Sequence, residues 1–338
     1  MSYLAGASKP EQLSYSLKLF SEYRSYRRSV KDYGYYIKMK TYNNPHKFLM
    51  VFAVILIVAY SYKGNTSAYS HKIYLTGDTI KTPNPLKPDY AAQPLEDWEK
   101  KFIDFQFKII SGNGHVLSYR FYFPPDLKRG KKYPLVVFLH GAGERGNDNR
   151  HQFFRFNPSA FWKKYPCFII APQCPNKLPG QPDGDNTWVA TSFGAPASTM
   201  KEKPTWPLQL AIELLDKTIA GNPIDRSRIY ITGLSMGGFG TWEFLQREPA
   251  DKFAAAMPVC GGADLSFAPK FVHLPLWIFH GGADSTVLTK RSRDMVAAIQ
   301  AAGGNPKYTE YPGIGHGAWT PTYSNPLVWD WLFAQHKK

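Results

Sequence analysis

Cysteine is scarce in this chain, since its 338 residues include only Cys167, Cys174 and Cys260. The three show no CxxC or other metal-ligand spacing, and an odd number of thiols cannot all be paired. A Cys167–Cys174 bridge is conceivable in an oxidising compartment. The interpretation we favour is that the cysteines are small buried hydrophobic residues beside strands. The sequence therefore predicts no metal site.

Acidic residues are also few, with 26 Asp and Glu against 41 Lys and Arg and a formal net charge of +15. A basic excess of this size raises the question of nucleic-acid binding. Residues 1–47 hold nine basic and three acidic residues, and the remaining surplus is scattered singly among acids. There is no basic helix face and no nucleic-acid motif. We therefore predict no nucleic-acid partner.

The apolar run Phe48–Tyr60 is too short for an ordinary membrane span. As a helix its 13 residues cover about 20 Å, against roughly 30 Å of hydrocarbon core. Its length fits the apolar stretch of a secretory signal. Basic residues precede it, and the small residues of Thr66–Ala68 suit a cleavage site.

We expect residues 1–68 to comprise an N-terminal extension and a signal peptide. Because the segment before the apolar run is long for a leader, we hypothesise that export starts from Met39 and that the mature chain begins near Tyr69. The predicted localisation is secreted or periplasmic. The alternatives are a membrane anchor through residues 48–60, which would be the chain's only membrane contact, and a buried core segment.

The remaining chain alternates strand-like and helical patterns. Residues 69–97 form a proline-rich, extended lead-in, and residues 98–338 form the predicted catalytic domain. Two alternating runs around "SGNG" at 111–114 predict an antiparallel strand pair. Continuous apolar runs predict buried strands at 135–140, 167–173, 228–235, 253–260, 274–281 and 306–313. Helical patterns lie at 207–222, 289–304 and 325–338. We therefore predict an α/β fold with a mostly parallel central sheet, helices on both faces and the antiparallel pair at one edge.

The stretch "YITGLSMGGFGTW", Tyr230–Trp242, surrounds one serine with glycines directly after a strand pattern. If Ser235 ends the strand and a helix starts at once, the chain must reverse within one or two residues. Only minimal side chains then fit at Gly233 and Gly237. This is the G-x-S-x-G pattern of a nucleophile elbow, which exposes the serine hydroxyl above a sheet.

A serine nucleophile needs a base and a group that orients the base. The histidines that follow the elbow are His273, His280, His316 and His336. We predict His316 as the base, because it lies in the glycine-rich loop "YPGIGHGAW" after the last strand. Asp284 in "HGGADSTV" is the predicted acid, because its strand precedes the one that leads to His316. Asp264 in "CGGAD" is the alternative.

Two backbone amides are expected to stabilise the oxyanion that forms when serine attacks a carbonyl. One is the amide of Met236, directly after the nucleophile. The other comes from the loop "GAGERGND" after the 135–140 strand. We predict Ala142, with Gly141 and Gly143 as alternatives.

Substrate choice is expected to depend on the irregular segment Pro172–Lys203, because long loops of this kind usually serve a site. Trp188 and Phe193 lie within it. Trp188 is either a stacking platform for a sugar or aromatic acyl group or an ordinary packed residue. In the oxyanion loop, Glu144 and Arg145 either contribute to substrate choice or form an ion pair that braces the loop.

Five segments together resemble the secreted bacterial α/β-hydrolases labelled carboxylesterase or predicted peptidase. They are "YPLVVFLHGAGERGNDN", "RIYITGLSMGGFGTWEF", "FAAAMPVCGGAD", "IFHGGADSTV" and "YPGIGHGAW". The likeness covers roughly residues 100–335 and extends to feruloyl esterases and polyhydroxybutyrate depolymerases. It implies Ser235 as nucleophile, Asp284 as acid and His316 as base, with the oxyanion loop at "LHGAG" and no cofactor.

The function that follows is a serine carboxylesterase acting through an acyl-enzyme. Its expected substrate is a small or polysaccharide-linked ester, including acyl or feruloyl esters of plant polysaccharide. A serine peptidase of the same fold and a non-catalytic binding protein are the alternatives. The absence of a propeller-like domain favours the esterase over the peptidase, and the intact Ser/His/Asp set argues against the binding protein.

Overall fold

A computed structural model describes residues 96–156, 158, 161–176 and 186–337, together with two short strands. The strands β1 (Tyr74–Thr76) and β2 (Thr79–Lys81) form an antiparallel pair. The chain divides into two units, residues 1–85, which include these strands, and residues 86–338. The described residues contain no helix with the length and apolar character needed to cross a bilayer. The predicted signal segment, the Met39 start and the mature end near Tyr69 lie outside the described residues, and the domain limits near 68 and 97 stay predictions.

The described residues of the second unit contain one sheet of eight strands. They are β3 (Gln106–Gly112), β4 (His115–Tyr122), β5 (Tyr133–Leu139), β6 (Phe168–Gln173), β7 (Ile224–Leu234), β8 (Ala255–Val259), β9 (Trp277–Gly281) and β10 (Lys307–Tyr311). Their order across the sheet is β10-β9-β8-β7-β5-β6-β4-β3. The pairings from β6 through β10 are parallel, and β3 and β4 are antiparallel at the edge. The predicted fold class is therefore confirmed.

Helices are present at the three predicted positions and directly after Ser235, together with short helices that the sequence did not predict. They are α1 (Asp97–Lys100), α2 (Phe161–Lys164), α3 (Trp206–Gly221), α4 (Met236–Arg247), α5 (Lys290–Ala301), α6 (Trp319–Ser324) and α7 (Pro326–Phe333). Short 3₁₀ helices lie at Ala142–Glu144, His151–Phe153 and Leu265–Phe271. The ends of α3 have local causes. The Thr205 side chain accepts a hydrogen bond from the Leu208 amide at its start, and α3 ends at Gly221, before Asn222 in extended conformation.

Both faces of the sheet are covered, as β5 shows residue by residue. Successive side chains of a strand point to opposite faces. Leu135, Val137 and Leu139 pack in a core with α3, α4 and α5. Val136 and Phe138 pack in a second core with α2, α6 and α7. The uninterrupted apolar character of this strand therefore reflects burial on both sides.

The second core is dominated by stacked aromatic rings. Phe161 and Trp329 stack at 3.8 Å between centroids, and Phe138 and Phe156 do the same at 3.8 Å. The indole N–H of Trp329 donates to the carbonyl of Tyr323 at 2.8 Å, which satisfies its one polar atom. Trp329 also meets Phe156 edge-on, with 6.1 Å between centroids, so α7 is linked to β5 through Phe156.

All three cysteines are free thiols and are buried. Burial raises the pKa values of Cys167 and Cys174 well above the ordinary range of a thiol. The conceivable Cys167–Cys174 bridge is not formed, and the favoured interpretation of the cysteines as buried residues beside strands is confirmed.

Two leucines of α7 test the packing of this helix. Leu332 is 0% exposed and Leu327 is 67% exposed. Leu332→Ala should lower the free energy of unfolding by about 2–5 kcal/mol, because it leaves a cavity. Leu327→Ala should stay within about 0.5 kcal/mol of the parent. Urea denaturation followed by circular dichroism measures both, and equal losses in the two variants would contradict the assigned face of α7.

Candidate active site

Ser235 is the single residue between β7, which ends at Leu234, and α4, which begins at Met236. Its φ of 53° and ψ of −119° are unfavourable for a residue with a side chain. The amide of Ser235 donates to the carbonyl of Val259 at 2.9 Å, which anchors the bend to β8. The Ser235 hydroxyl does not cap α4. It is therefore left for another partner.

The glycines on either side of Ser235 are required by close backbone approaches. A Cβ atom added at Gly237 would lie 2.0 Å from the carbonyl oxygen of Leu139, and one at Gly233 would lie 2.3 Å from the carbonyl oxygen of Gly237. These contacts are with backbone, which cannot move aside. The steric reason predicted for the elbow glycines thus holds at both positions.

The structure brings the predicted serine, histidine and aspartate into one hydrogen-bonded chain. Ser235 Oγ lies 2.8 Å from His316 Nε2. His316 Nδ1 lies 2.7 Å from Asp284 Oδ2. With the proton on Nδ1 donated to the carboxylate, Nε2 can accept the serine proton. The His316 side chain is 21% exposed and that of Asp284 is fully buried. The hydrogen-bonded series of three side chains therefore runs from the accessible surface into the protein.

Adjacent parallel strands place the aspartate and the histidine together. Asp284 follows β9, and His316 follows β10, its neighbour in the sheet. Backbone hydrogen bonds join the two loops: Gly282 N to Tyr311 O and Ala283 N to Ile314 O, both at 2.9 Å. Asp284 and His316 are thus held together by paired backbone as well as by their own contact.

The carboxylate of Asp284 is kept ionised by its surroundings. Its Oδ1 accepts the amides of Thr286 at 2.9 Å and Val287 at 3.0 Å. Burial alone raises the pKa of Asp284, but the imidazoles of His280 and His316 and the Val287 amide outweigh it and hold the pKa well below its usual range. A negative charge is therefore available to orient His316 and to stabilise its charged form.

The alternative acid, Asp264, has other partners. Its carboxylate accepts the amide of Ser266 at the start of a 3₁₀ helix and the amide of Met200 in the irregular segment, both at 3.0 Å. The structure therefore groups Asp284, and not Asp264, with His316.

The two predicted oxyanion donors sit on loops that touch each other. Met236 is the first residue of α4, and Ala142 is the first residue of a 3₁₀ helix, so their amides have no partner within those helices. A Cβ atom at Gly141 would lie 2.7 Å from Leu234 Cδ1. The Ala142 loop therefore packs directly against the residue before Ser235.

A buried histidine, His140, contacts the predicted oxyanion loop on its inner side. His140 Nδ1 donates to the carbonyl of Gly141 at 2.6 Å, and its Nε2 accepts the amide of Cys174 at 2.9 Å. Burial lowers the pKa of His140 to about 4. Trp188 is 0% exposed, and its indole N–H donates to the carbonyl of His140 at 3.0 Å. Trp188 is thus a packed support, and it offers no free face for stacking on a sugar.

The interpretation of Glu144 and Arg145 as an ion pair is wrong. The buried carboxylate of Glu144 accepts the Arg155 Nε proton at 2.7 Å, and Arg145 Nε donates to the carbonyl of Ala142 at 3.0 Å. Burial raises the pKa of Glu144, and Arg155 opposes that rise. The sequence offered no signal for this partner, because Arg155 lies on a separate loop.

Two further neighbours of the site were missed by the sequence interpretation. The ring of Trp319 packs edge-on against His316, with 5.1 Å between centroids. Nε2 of His280, which the sequence interpretation rejected as the base, lies 3.3 Å from Asp284 Oδ2. The available signal for His280 was its position at the end of the strand that precedes the aspartate.

The irregular segment Pro172–Lys203 is described except for residues 177–185. Arg291, from α5, donates to the carbonyl of Ala195 at 3.2 Å and to Ser198 Oγ at 2.7 Å. Phe193 packs against Phe239 of α4, with 5.3 Å between ring centroids. The described part of this segment is therefore fastened to α4, which begins directly after the serine, and to α5.

Within the described residues, ligand-type atoms of Cys260, His280 and Asp284 lie within 4.8 Å of one another. These atoms already have partners in the protein. The carboxylate oxygen contacts His316, and the imidazole Nε2 lies 2.9 Å from the carbonyl of Val287. Burial and the neighbouring carboxylate raise the pKa of the Cys260 thiol to about 12. We therefore assign this group to the hydrogen-bonded surroundings of Asp284.

Comparison with known proteins places these features in a family. A family model described as phospholipase/carboxylesterase matches residues 127–323. A thermostable esterase of known structure is 37% identical, with a TM-score of 0.61, and the match covers 70% of this chain and 64% of that one. The resemblance noted in the sequence is thereby confirmed.

Curated relatives are more distant in sequence. A probable carboxylesterase of Arabidopsis thaliana, SOBER1-like, is 25% identical over 54% of this chain and 72% of its own length. An uncharacterised secreted protein of Arthroderma benhamiae is 25% identical over 60% of this chain, and the match spans only 24% of the fungal protein. The chain thus spans about a quarter of that relative.

Gly237→Ala tests the steric account of the elbow. The added methyl group collides with the Leu139 carbonyl, so the free energy of unfolding should fall by at least about 3 kcal/mol. Gly194→Ala is the control, because a Cβ atom there meets nothing within 4 Å. Denaturant unfolding of both variants gives the comparison. A Gly237→Ala protein as stable as the control would show that the elbow tolerates a side chain.

Proposed function

This chain belongs to the phospholipase/carboxylesterase family, and on that basis we propose that it hydrolyses carboxylic esters with Ser235 as the nucleophile. His316 is the general base and Asp284 is the group that orients it. The observation that carries the proposal is the continuous contact from Ser235 Oγ through the His316 ring to Asp284 Oδ2, at 2.8 and 2.7 Å. A serine hydroxyl requires such a base to attack at neutral pH.

In the first step, Ser235 Oγ attacks the ester carbonyl while its proton moves to His316 Nε2. The ring becomes an imidazolium, and the ionised Asp284 stabilises that charge through Nδ1. The tetrahedral intermediate then collapses, and His316 returns the proton to the departing alcohol. The acyl group remains bonded to Ser235.

The oxyanion of the intermediate is stabilised by the amides of Met236 and Ala142 in this proposal. Both belong to first turns of helices, where amides are free to bind a negative atom. The Ala142 loop rests on His140 and the Glu144–Arg155 pair, so its donors are fixed before substrate arrives. Fixed donors are what make such stabilisation effective.

In the second step, water takes the place of the alcohol. His316 removes a proton from the water, which attacks the acyl carbonyl, and it returns that proton to Ser235 Oγ as the Ser235–acyl bond breaks to release the acid. The substrates we propose are acyl or feruloyl esters of plant polysaccharide, which the sequence resemblance suggests. The chemistry of the site itself requires only an ester carbonyl.

Replacing the serine tests the mechanism. Ser235→Ala should lower kcat/KM on p-nitrophenyl acetate by about 10³-fold or more, because the acyl-enzyme cannot form. Ser324→Ala, at an exposed hydroxyl in α6, is the matched control and should match the parent. Methyl ferulate, acetylated xylan and a short peptide complete the panel. Hydrolysis by Ser235→Ala at the parental rate would refute the nucleophile, and cleavage of the peptide in preference to every ester would refute the esterase.

We also propose that the protein is exported after cleavage near Tyr69. The supports are the basic and apolar segments before residue 68 and a fungal relative described as secreted. Expression of the full reading frame should yield extracytoplasmic protein whose first residue lies close to Tyr69, as measured by N-terminal sequencing. Recovery of the protein only in the cytosol, with Met1 intact, would contradict export.

A further inference from the structure

We propose that His280 is a positioning residue for the reaction, acting on the acid Asp284 and never on the substrate. This inference rests on the function proposed above, since it assigns a role only if Asp284 orients His316. His280 is completely buried, whereas Ser235 contacts His316. A direct role in proton transfer from the serine is therefore excluded for His280.

The proton of His280 Nε2 has a fixed direction. This nitrogen lies 2.9 Å from the carbonyl oxygen of Val287 and 3.3 Å from Asp284 Oδ2. Both neighbours are acceptors, so Nε2 carries its proton in either charge state of the ring. The shorter contact, with the Val287 carbonyl, is the principal hydrogen bond of this N–H. The same N–H also interacts with Asp284 Oδ2 over the longer distance.

The other ring nitrogen is held by α5. His280 Nδ1 lies 2.7 Å from Ser292 Oγ, and the Ser292 hydroxyl is 3.5 Å from the carbonyl of Gly261. A hydroxyl can donate or accept, so Ser292 matches Nδ1 whether or not that nitrogen carries a proton. Ser292 thus fixes the ring orientation that aims Nε2 at Asp284.

The two carboxylate oxygens of Asp284 consequently have separate sets of partners. Oδ1 accepts the two backbone amides of Thr286 and Val287, and Oδ2 faces His316 and His280. Rotation of the carboxylate would break contacts on both oxygens. His280 is therefore the side chain that holds Oδ2 in place on the buried side while His316 uses it on the accessible side.

His280 also ties together the loop that carries the acid. It lies four residues before Asp284 at the end of β9, and its Nε2 reaches the carbonyl of Val287, three residues after Asp284. Thr289 Oγ1 donates to the carbonyl of Gly281 at 2.6 Å and closes the same loop further out. The His280 imidazole thus bridges the loop that carries Asp284 on the buried side of that loop.

Other charged groups near His280 are engaged elsewhere. Glu310 is its partner in the register of β9 and β10, and the carboxylate of Glu310 binds Arg293 and the Tyr308 hydroxyl. The Cys260 thiol faces Asp284 as a neutral group, because burial raises its pKa to about 12. Asp284 is thus the carboxylate that faces the His280 N–H.

Two amide substitutions separate donation from packing. In His280→Gln the side-chain amide reaches the position of Nε2, whereas in His280→Asn it reaches only the position of Nδ1. We expect His280→Asn to lower kcat on p-nitrophenyl acetate roughly ten- to a hundred-fold with KM nearly unchanged, because a charge-assisted contact to the acid is lost. His280→Gln should recover kcat to within about three-fold of the parent. His273→Asn, at an exposed histidine, is the control and should behave as the parent.

A spectroscopic readout accompanies the kinetics. The proton shared by His316 Nδ1 and Asp284 should give a downfield resonance in the parent and in His280→Gln. The resonance should broaden or disappear in His280→Asn. If His280→Asn fails to fold, Ser292→Ala replaces it as the test variant. Ser292→Ala should lower kcat by about three- to ten-fold, because the His280 ring loses the partner that orients it.

Parental kcat and a parental resonance in His280→Asn, or in Ser292→Ala when that variant replaces it, would overturn the assignment. Equal losses in His280→Gln and His280→Asn would overturn it as well, since packing alone would then explain the effect. Ser235→Ala separates the two proposals. An inactive Ser235→Ala with a fully active His280→Asn removes only the role of His280, whereas an active Ser235→Ala removes the proposed mechanism itself.

Discussion

The ionised carboxylate of Asp284, held beneath the protein surface, is the constraint on which the site depends. A buried charge is costly unless donors surround it. Here two amides meet one oxygen and two imidazoles face the other. Because those donors come from the acid's own loop, the strand before it and the loop after β10, satisfying the charge also fixes three pieces of chain relative to each other.

The strained Ser235 is the second constraint, and it is fixed from outside. Its backbone conformation costs free energy of order 1–3 kcal/mol and persists only where the surroundings enforce it. Hydrogen bonding to β8 and the contacts of Gly237 with the end of β5 supply that enforcement. β7 lies between β5 and β8 near the middle of the sheet, so the serine is supported on both sides. A serine at an edge strand would lack one of these supports.

The fold and the grouping of Ser235, Asp284 and His316 could be predicted because their signals are local. Strand runs, glycine spacing and the order of loops along a parallel sheet are all readable within short windows of sequence. The partners of Glu144 and His280 could not be predicted in this way. Arg155 reaches Glu144 from another loop, and no sequence periodicity or motif relates the two residues. The burial of Trp188 depends on His140 beneath it, which local sequence does not reveal. The features that could not be predicted are side chains that support a functional group although they come from a different part of the chain.

One such support joins the two halves of the site. Arg155 binds Glu144 in the loop that contains Ala142, and its guanidinium lies 5.5 Å from the ring centroid of Trp319, which packs against His316. The Ala142 loop is thus connected through two side chains to His316. Acyl transfer needs the donor amides and the base at a fixed separation on either side of the reacting carbonyl. Since the two come from loops more than 150 residues apart, backbone pairing alone does not join them directly. The Glu144–Arg155–Trp319 contact supplies that connection, with the Glu144 carboxylate buried and the Arg155 side chain 45% exposed.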